Sequence, residues 1–157
     1  MADDLAELEP FLAAYLNRLG PAQRRRVARK VGEALRRENA RRIAANVQPD
    51  GSAMEPRKPR KRMKDAKGRI KRSARMFPKI KLAKSLKIRA TPDDVSIGFA
   101  GMIGHTAAAH HFGLEDFVGR DASGRAIKTK YPTRRLLGFG ADDVEIITRA
   151  AMEMLEG

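Results

Sequence analysis

The chain contains no cysteine and no tryptophan, and aromatic residues make up only 5% of its 157 positions. The absence of cysteine excludes disulfides, thiolate metal sites and a cysteine nucleophile. With so few aromatic rings, we expect a core of Leu, Ile, Val, Ala and Met. No apolar run approaches the roughly 18 residues of a membrane-spanning helix, and the start Met-Ala-Asp-Asp is acidic where a signal peptide would be basic. We therefore expect a protein made in a cytoplasm, with no membrane partner.

The positive charge of the chain is concentrated in one segment. The formal net charge is +14, and residues 57–89 hold sixteen Lys or Arg against a single acid, Asp65. The other residues hold 17 basic and 18 acidic side chains, so the rest of the chain is nearly neutral. Such a segment acts on polyanions or on acidic protein surfaces, and says nothing about the fold. Because Phe77 is its only aromatic residue, it could bind phosphates but would stack poorly on bases; nucleic acid and an acidic protein surface both remain open as partners.

The first third of the sequence has the apolar period of helices. Apolar residues recur every three or four positions from Leu5 to Leu19, and we expect this helix to begin near Pro10, which is best tolerated in a first turn. A long second helix is predicted from Pro21 to about Val47, with its arginines largely on a solvated face. Its predicted buried residues are Val27, Val31, Ala34, Leu35, Ile43, Ala44 and Val47. A turn at Gln48-Pro49-Asp50-Gly51 ends it.

The remaining sequence predicts an α+β domain. Residues 52–75 lack a hydrophobic period and are expected to form a long, mobile basic loop until a partner holds it. An antiparallel hairpin follows, with strands at 85–90 and 95–100, then a short helix at 101–111 ended by Gly113, a strand at 125–131 and a C-terminal helix at 142–155. The predicted apolar stripe of that last helix is Val144, Ile147, Ala151, Met154 and Leu155. We expect one domain over 1–157: a helical part at 1–51, the loop at 52–75 and an α+β part at 76–157.

No catalytic constellation is visible in the sequence. The three histidines, His105, His110 and His111, are close together, but on a helix His105 and His110 would be about 140° apart. This spacing differs from the i, i+4 pair that meets over one zinc ion. No serine lies in a nucleophile elbow, and no glycine-rich loop has phosphate-binding spacing. We therefore predict no enzyme activity, no metal and no cofactor.

An ordered set of short motifs runs through most of the chain. Arg41-Arg42-Ile43 closes the long helix and is followed by Gln48-Pro49-Asp50-Gly51-Ser52, Pro56-Arg57-Lys58, Met76-Phe77 and Val95-Ser96-Ile97-Gly98-Phe99. His111-Phe112-Gly113-Leu114 and Tyr131-Pro132-Thr133-Arg134-Arg135-Leu136-Leu137-Gly138 come after them. From about residue 5 to 155 this order resembles the phage virion morphogenesis family, the tail-completion proteins of P2-like and Mu-like contractile-tailed phages. One departure is Met54, where family members usually carry a Trp.

The resemblance implies a structural protein of the virion. Such a protein would finish the head-proximal end of the tail tube and prepare it for joining to the head. It would work as a homo-oligomeric ring, expected to be a hexamer, and contact tail tube, sheath and neck or connector proteins. The alternative is a small basic nucleic-acid-binding protein that uses residues 57–89 as a non-specific phosphate clamp.

Two sets of residues are candidates for these roles. Partner and oligomer contacts are expected at Arg57, Lys58, Arg60, Lys61, Arg62, Arg134, Arg135, Leu136 and Leu137, because Arg beside Leu and Tyr is typical of an interface. Structural turns are expected at Pro49, Asp50, Gly51, His111, Gly113 and Pro132. We expect one of the two adjacent arginines, Arg134 or Arg135, to pair with a carboxylate of a neighbouring subunit or tail ring. The competing interpretation is that Leu136 and Leu137 close the core while both arginines are solvated.

Overall fold

A computed structural model describes residues 16–58 and 76–156, together with Ala6, Glu9, Pro10, Ala13 and Ala14. Most of the predicted basic loop, residues 59–75, therefore lies outside the described residues. The backbone is already helical at Ala6 and Glu9, so the predicted helix start near Pro10 is wrong. The apolar repeat that begins at Leu5 outweighs the donor lost at Pro10.

The predicted long helix, α1, spans Pro21–Ala45 and is the central element of the fold. Pro21 occupies its first turn, where a missing N–H costs nothing. The helix ends at Asn46, whose left-handed φ of 57° lets the Val47 N–H bond to the carbonyl of Arg42 at 3.0 Å. Its buried face includes Val27, Val31, Ala34, Leu35 and Ile43 as expected. Ala44 is exposed and Val47 half-buried, because the last turn of the helix faces solvent on that side.

A predicted hairpin packs across the middle of α1. Strand β1 (Leu86–Ala90) pairs antiparallel with β2 (Val95–Phe99), and Ile88 lies opposite Ile97. Gly32 of α1 makes the contact possible, since a Cβ there would lie 2.7 Å from methyl groups of both Ile88 and Val95. Helix interiors disfavour glycine by roughly 1 kcal/mol, and the close packing of helix on hairpin accounts for it here.

A second hairpin follows the short helix α2 (Met102–Phe112). Strand β4 (Ala126–Lys130) lies where a strand was predicted, but its partner β3 (Glu115–Arg120) was not predicted. The register shifts between Phe117 and Gly119, which breaks the alternation that would reveal a strand. At the turn, the Asp121 carboxylate accepts hydrogen bonds from the Ser123 and Arg125 N–H groups.

The C-terminal helix α3 spans Asp143–Glu156 and packs against α1. Its buried face confirms Ile147 and Ala151 of the predicted stripe and adds Ile146 and Ala150, whereas Met154 is 36% exposed and Val144 half-buried. The side chain of Leu155 lies outside the described residues. Asp143, which the predicted stripe did not include, is fully buried at the start of this face.

Two hydrophobic clusters stabilise this α+β arrangement, which confirms the predicted fold class. The first joins α1 to α3 through Val27, Val31, Ala34, Leu35, Ala150 and Ala151. The second lies at the C-terminal end of α1 and contains Ile43, Met54, Phe77, Ile80, Ala107 and Leu136. Within the described ranges, no helix has the length and apolar character needed to cross a membrane.

Candidate interaction surface and its anchor

Residues 131–140, here called the strap, cross the second cluster without forming a helix or strand. Their backbone N–H groups bond to three different parts of the fold. The donors and acceptors are Tyr131 to the Leu114 carbonyl (3.1 Å), Arg134 to the His110 carbonyl (2.8 Å), Arg135 to Gln48 Oε1 (2.9 Å), Leu136 to His111 Nδ1 (3.1 Å) and Gly138 to Asn39 Oδ1 (3.3 Å). The strap thus ties the end of α2 to the turn after α1 and to α1 itself.

Arg134 connects the strap to the start of the basic segment. Its side chain is only 3% exposed. Nε donates to the Glu55 carbonyl at 2.6 Å and Nη2 to the Pro56 carbonyl at 3.0 Å. Next to these carbonyls, Met54 is buried in the second cluster, where it takes the place the resemblance gives to a Trp. The backbone immediately before Arg57 is therefore fixed by polar and apolar contacts together.

The chain that follows residues 59–75 contacts the same part of the fold as Arg134. Phe77 is buried in the second cluster, and its ring centroid lies 4.9 Å from that of His110 in an edge-to-face arrangement. Nδ1 of His110 accepts a hydrogen bond from Nη1 of Arg134 at 3.1 Å. The ring centroid of His110 lies 4.1 Å from that of Tyr131. Residues 55–56 bond to Arg134 and Phe77 packs on His110, so the hydrogen-bonded pair of His110 and Arg134, here called the anchor, holds the chain on both sides of residues 59–75.

The anchor is electrostatically unusual because it keeps a neutral imidazole beside a guanidinium. Burial, followed by the positive charges of Arg134 and Arg57, lowers the pKa of His110 to about 4, and the charge of Asp116 acts in the opposite direction. Burial, then the charge of Arg135, also lowers the pKa of His111. Burial lowers the pKa of Arg134 as well, although an arginine stays charged at any physiological pH. Neutral His110 is the form whose Nδ1 can accept the Arg134 hydrogen bond.

A buried ion pair holds the end of the strap. Arg42 donates from Nη1 and Nη2 to the Asp143 carboxylate at 3.2 and 2.8 Å, and Nη2 also reaches the Gly138 carbonyl at 3.2 Å. The same carboxylate accepts the Gly140 N–H at 2.8 Å. One pair therefore connects α1, the strap and the first turn of α3.

The predicted turn residues lie around this framework. Gly51 has a φ of 85° in the turn after α1, where the Asp50 carboxylate accepts the Ser52 N–H at 2.9 Å. Pro49 approaches Gly138 of the strap, and Pro132 is half-buried within the strap. Gly113 ends α2 with a φ of 67°, and a Cβ there would lie 2.6 Å from Thr133 Oγ1. The turn at Gly113 thus also needs glycine because the strap passes so close.

Apolar side chains on and beside the second hairpin face solvent. Phe117 is 53% and Phe112 66% exposed, while Leu114, Val118 and Ile127 are also exposed. Phe139 of the strap is exposed as well. Phe117 is paired with Lys128 and Ile127 with Gly119, so Phe117 and Ile127 lie on opposite faces of the hairpin. Large apolar side chains left exposed in this way are candidates for contacts with other proteins.

The histidines form no metal site in the described part of the chain, where no group of three or more His, Asp or Glu could hold an ion. His105 is exposed and its Nε2 lies 4.0 Å from Asp116, whereas His110 and His111 are engaged with Arg134 and Leu136.

Comparison with known proteins agrees with the motif order seen in the sequence. Residues 3–156 match the sequence pattern of the phage virion morphogenesis family. The chain belongs to this family. It is similar to tail completion protein S of Escherichia phage P2, with 33% identity over 155 residues that cover 98% of this chain and 99% of that protein. No solved structure matches the chain.

The residues expected at an interface differ in how exposed their side chains are. Arg57, Lys58 and Arg135 are exposed and Leu137 is half-buried, whereas Arg60, Lys61 and Arg62 lie outside the described residues. The expectation for Arg134 and Leu136 is revised, because both are buried inside the subunit. Arg134 donates to carbonyls of its own chain rather than offering its fork to a neighbour, and it is not solvated either. Leu136 is 1% exposed and belongs to the core, in line with the competing interpretation for that residue.

Sequence reasoning missed the burial of Asp143 and strand β3, the first strand of the second hairpin. Asp143 stands first in an amphipathic helix, where an acidic residue is expected for the helix dipole alone, so only its i, i+3, i+4, i+7 spacing to Ile146, Ile147 and Ala150 hints at burial. The hairpin had a signal in Asp121-Ala122-Ser123-Gly124, a turn sequence between two runs that contain Phe117 and Ile127.

Proposed function

We propose that this chain is a structural tail-completion protein that forms a homo-oligomeric ring, most simply a hexamer, at the head-proximal end of a phage tail. It closes the tube there and presents a surface for joining to the head, and it performs no catalysis. The observation that carries this proposal is the 33% identity to tail completion protein S of Escherichia phage P2 over nearly the whole of both chains. The proposed location is the virion tail, after assembly in the host cytoplasm.

The exposed apolar surface of the second hairpin supports a role in assembly. Five large apolar side chains on or beside it are exposed in the isolated subunit, which is typical of contact surfaces: Phe112, Leu114, Phe117, Val118 and Ile127. We assign this surface to contacts with a neighbouring subunit or with a tail protein. A ring requires such heterologous contacts, in which one patch meets a different patch of the next copy.

Exposed basic residues near the anchor are the second proposed contact. Arg57 and Lys58 leave the anchor into solvent, and Arg135 projects from the strap beside half-buried Leu137. We assign these four residues, with Arg60, Lys61 and Arg62, to contacts with tube, sheath or neck proteins. Arg134 and Leu136 position them from inside the subunit. Charge complementarity at such rims guides partners to the correct orientation.

Complementation of a phage that lacks this gene tests the function. We expect the mutant to produce tails that are aberrant in length or fail to join heads in electron micrographs, and the wild-type chain supplied in trans to restore infectious particles. Normal joined tails without the gene would overturn the proposal.

A surface variant then tests the proposed contact. Phe117→Asp should leave the thermal unfolding midpoint of the isolated subunit nearly unchanged, because the ring is half-exposed, yet should fail to restore infectivity. Ala122→Asp, in the exposed turn between the two strands, is the matched control, because it adds the same single negative charge to this hairpin away from Phe117. Full complementation by Phe117→Asp would remove the second hairpin from the contact surface.

A further inference from the structure

A basic groove runs between α1 and β1, away from the anchor. It has a volume of about 370 Å³. Its basic lining residues are Arg25, Arg29, Arg36 and Lys87. Glu33 is the one acidic lining residue, and its carboxylate lies 3.6 Å from Nε of Arg29. The groove therefore keeps an excess of positive charge after that pair is counted.

The three arginines form a row along the helix. With 100° and 1.5 Å per residue, positions 25, 29 and 36 fall within about 40° of one another and span about 16 Å of the axis. The floor beside them includes Ile88 and Ala90 of β1. Apolar walls beside like charges concentrate the field in a groove, which raises the local concentration of an anionic partner.

We propose that this groove binds the sugar–phosphate backbone of double-stranded DNA. Guanidinium groups pair with phosphates through two parallel hydrogen bonds, and duplex DNA offers about one phosphate per 1.7 Å of its axis. A row of forked donors about 16 Å long can therefore neutralise several phosphates without a particular register. The lining residues include no aromatic ring, so the groove supplies no platform for stacking unpaired bases. Contact to the backbone alone gives binding without sequence preference.

This site is distinct from the residues 57–75 and from the anchor, and does not depend on the proposed tail function. It uses arginines of α1 that the sequence pattern placed on a solvated helix face. An acidic protein surface is the competing partner, but such a surface presents separate carboxylates that must match the spacing of the arginines. A polyanion with continuous charge fits the row more directly.

The test measures binding of the full-length chain to a short labelled DNA duplex by fluorescence anisotropy across a range of salt concentrations. Each lost phosphate contact lowers the slope of log affinity against log salt by about 0.9. The variant R25Q/R29Q/R36Q should therefore lose about 2.7 in slope and bind at least about tenfold more weakly at low salt. The matched control R26Q/R37Q/R41Q removes the same net charge from other faces of α1 and should change the slope by less than about 1.

Both triple variants should remain folded, since all six arginines have exposed or half-exposed side chains. Circular dichroism melts of the two variants check this. Equal slopes for the two variants would overturn the groove as a site, because binding would then follow net charge or the segment 57–75. A wild-type chain that does not bind duplex would overturn it as well. Labelled poly-glutamate provides the last comparison: if it binds as tightly as DNA and loses more affinity in the groove variant, the groove serves an acidic protein and the DNA proposal is wrong.

Discussion

Arg42 in α1 and Asp143 at the start of α3 form a two-pronged ion pair whose side chains are 8% and 1% exposed. The residues are 101 positions apart in sequence. The Gly138 carbonyl accepts from Arg42 and the Gly140 N–H donates to Asp143, whereas Nε of Arg42 is buried without a hydrogen-bond partner in the described structure. Buried pairs of charge are costly to create, yet removing one partner leaves the other charge uncompensated.

Arg42→Met should destabilise the chain by roughly 3–5 kcal/mol, because it leaves the Asp143 carboxylate buried without its partner. Chemical unfolding by urea, followed by circular dichroism, measures this loss. Arg41→Met is the matched control: Arg41 is the exposed neighbour and pairs with Glu38 on the helix surface, so its loss should cost less than about 1 kcal/mol. Similar losses for the two variants would show that the buried pair does not hold the strap.

The sequence predicted the elements of this fold better than the links between them. Periodicity located α1 and the first hairpin, because their apolar residues follow the helix and strand periods. The helix α2 was predicted from its small residues instead. Periodicity located only part of the inward face of α3, at Ile147 and Ala151, and missed the burial of Asp143, which depends on an arginine far away in the sequence. Long-range ion pairs leave no local pattern.

The strap shows the same limit for the candidate site. The pattern Arg134-Arg135-Leu136-Leu137 indicates an interface, yet its residues alternate between core and surface. Arg134 is buried because carbonyls of Glu55 and Pro56 receive its donors, and only the tertiary fold brings residues 79 and 78 positions apart together. Composition can suggest a contact surface, but it cannot tell which of two adjacent arginines reaches it.

Arg134 and Arg135 form a natural matched pair for testing this assignment. Arg134→Met should destabilise the chain by on the order of 2 kcal/mol, since two backbone carbonyls and His110 lose their donors. Arg135→Met should change stability by less than about 0.5 kcal/mol, because its side chain is exposed. Urea unfolding measures both. Equal stability of the two variants would contradict an anchoring role for Arg134.

Gly113 should resist substitution for two separate reasons. Its φ of 67° is unfavourable for a β-branched residue, and the added Cβ would come within 2.6 Å of Thr133 Oγ1. We expect Gly113→Val to lower stability by about 2 kcal/mol or more. The control is Gly98→Ala, since that position lies in strand β2 with nothing within 4 Å of an added Cβ. A thermal unfolding midpoint for Gly113→Val equal to that of Gly98→Ala would show that the strap can move away from the helix end.

The lowered pKa of His110 predicts how stability depends on pH. Its pKa is about 4 in the folded chain and about 6.5 when unfolded, so between these values the unfolded state binds a proton that the folded state does not. Stability should therefore decrease as the pH falls from 6.5 to 4, with a contribution from this group of at most about 1.4 kcal/mol per pH unit. In His110→Gln, whose amide oxygen can still accept from Arg134 but does not titrate, the decrease should be smaller by that contribution. Urea midpoints of the two proteins at intervals between pH 7 and pH 4 measure the difference. Parallel pH profiles would mean that His110 becomes protonated as readily in the folded chain as in the unfolded one.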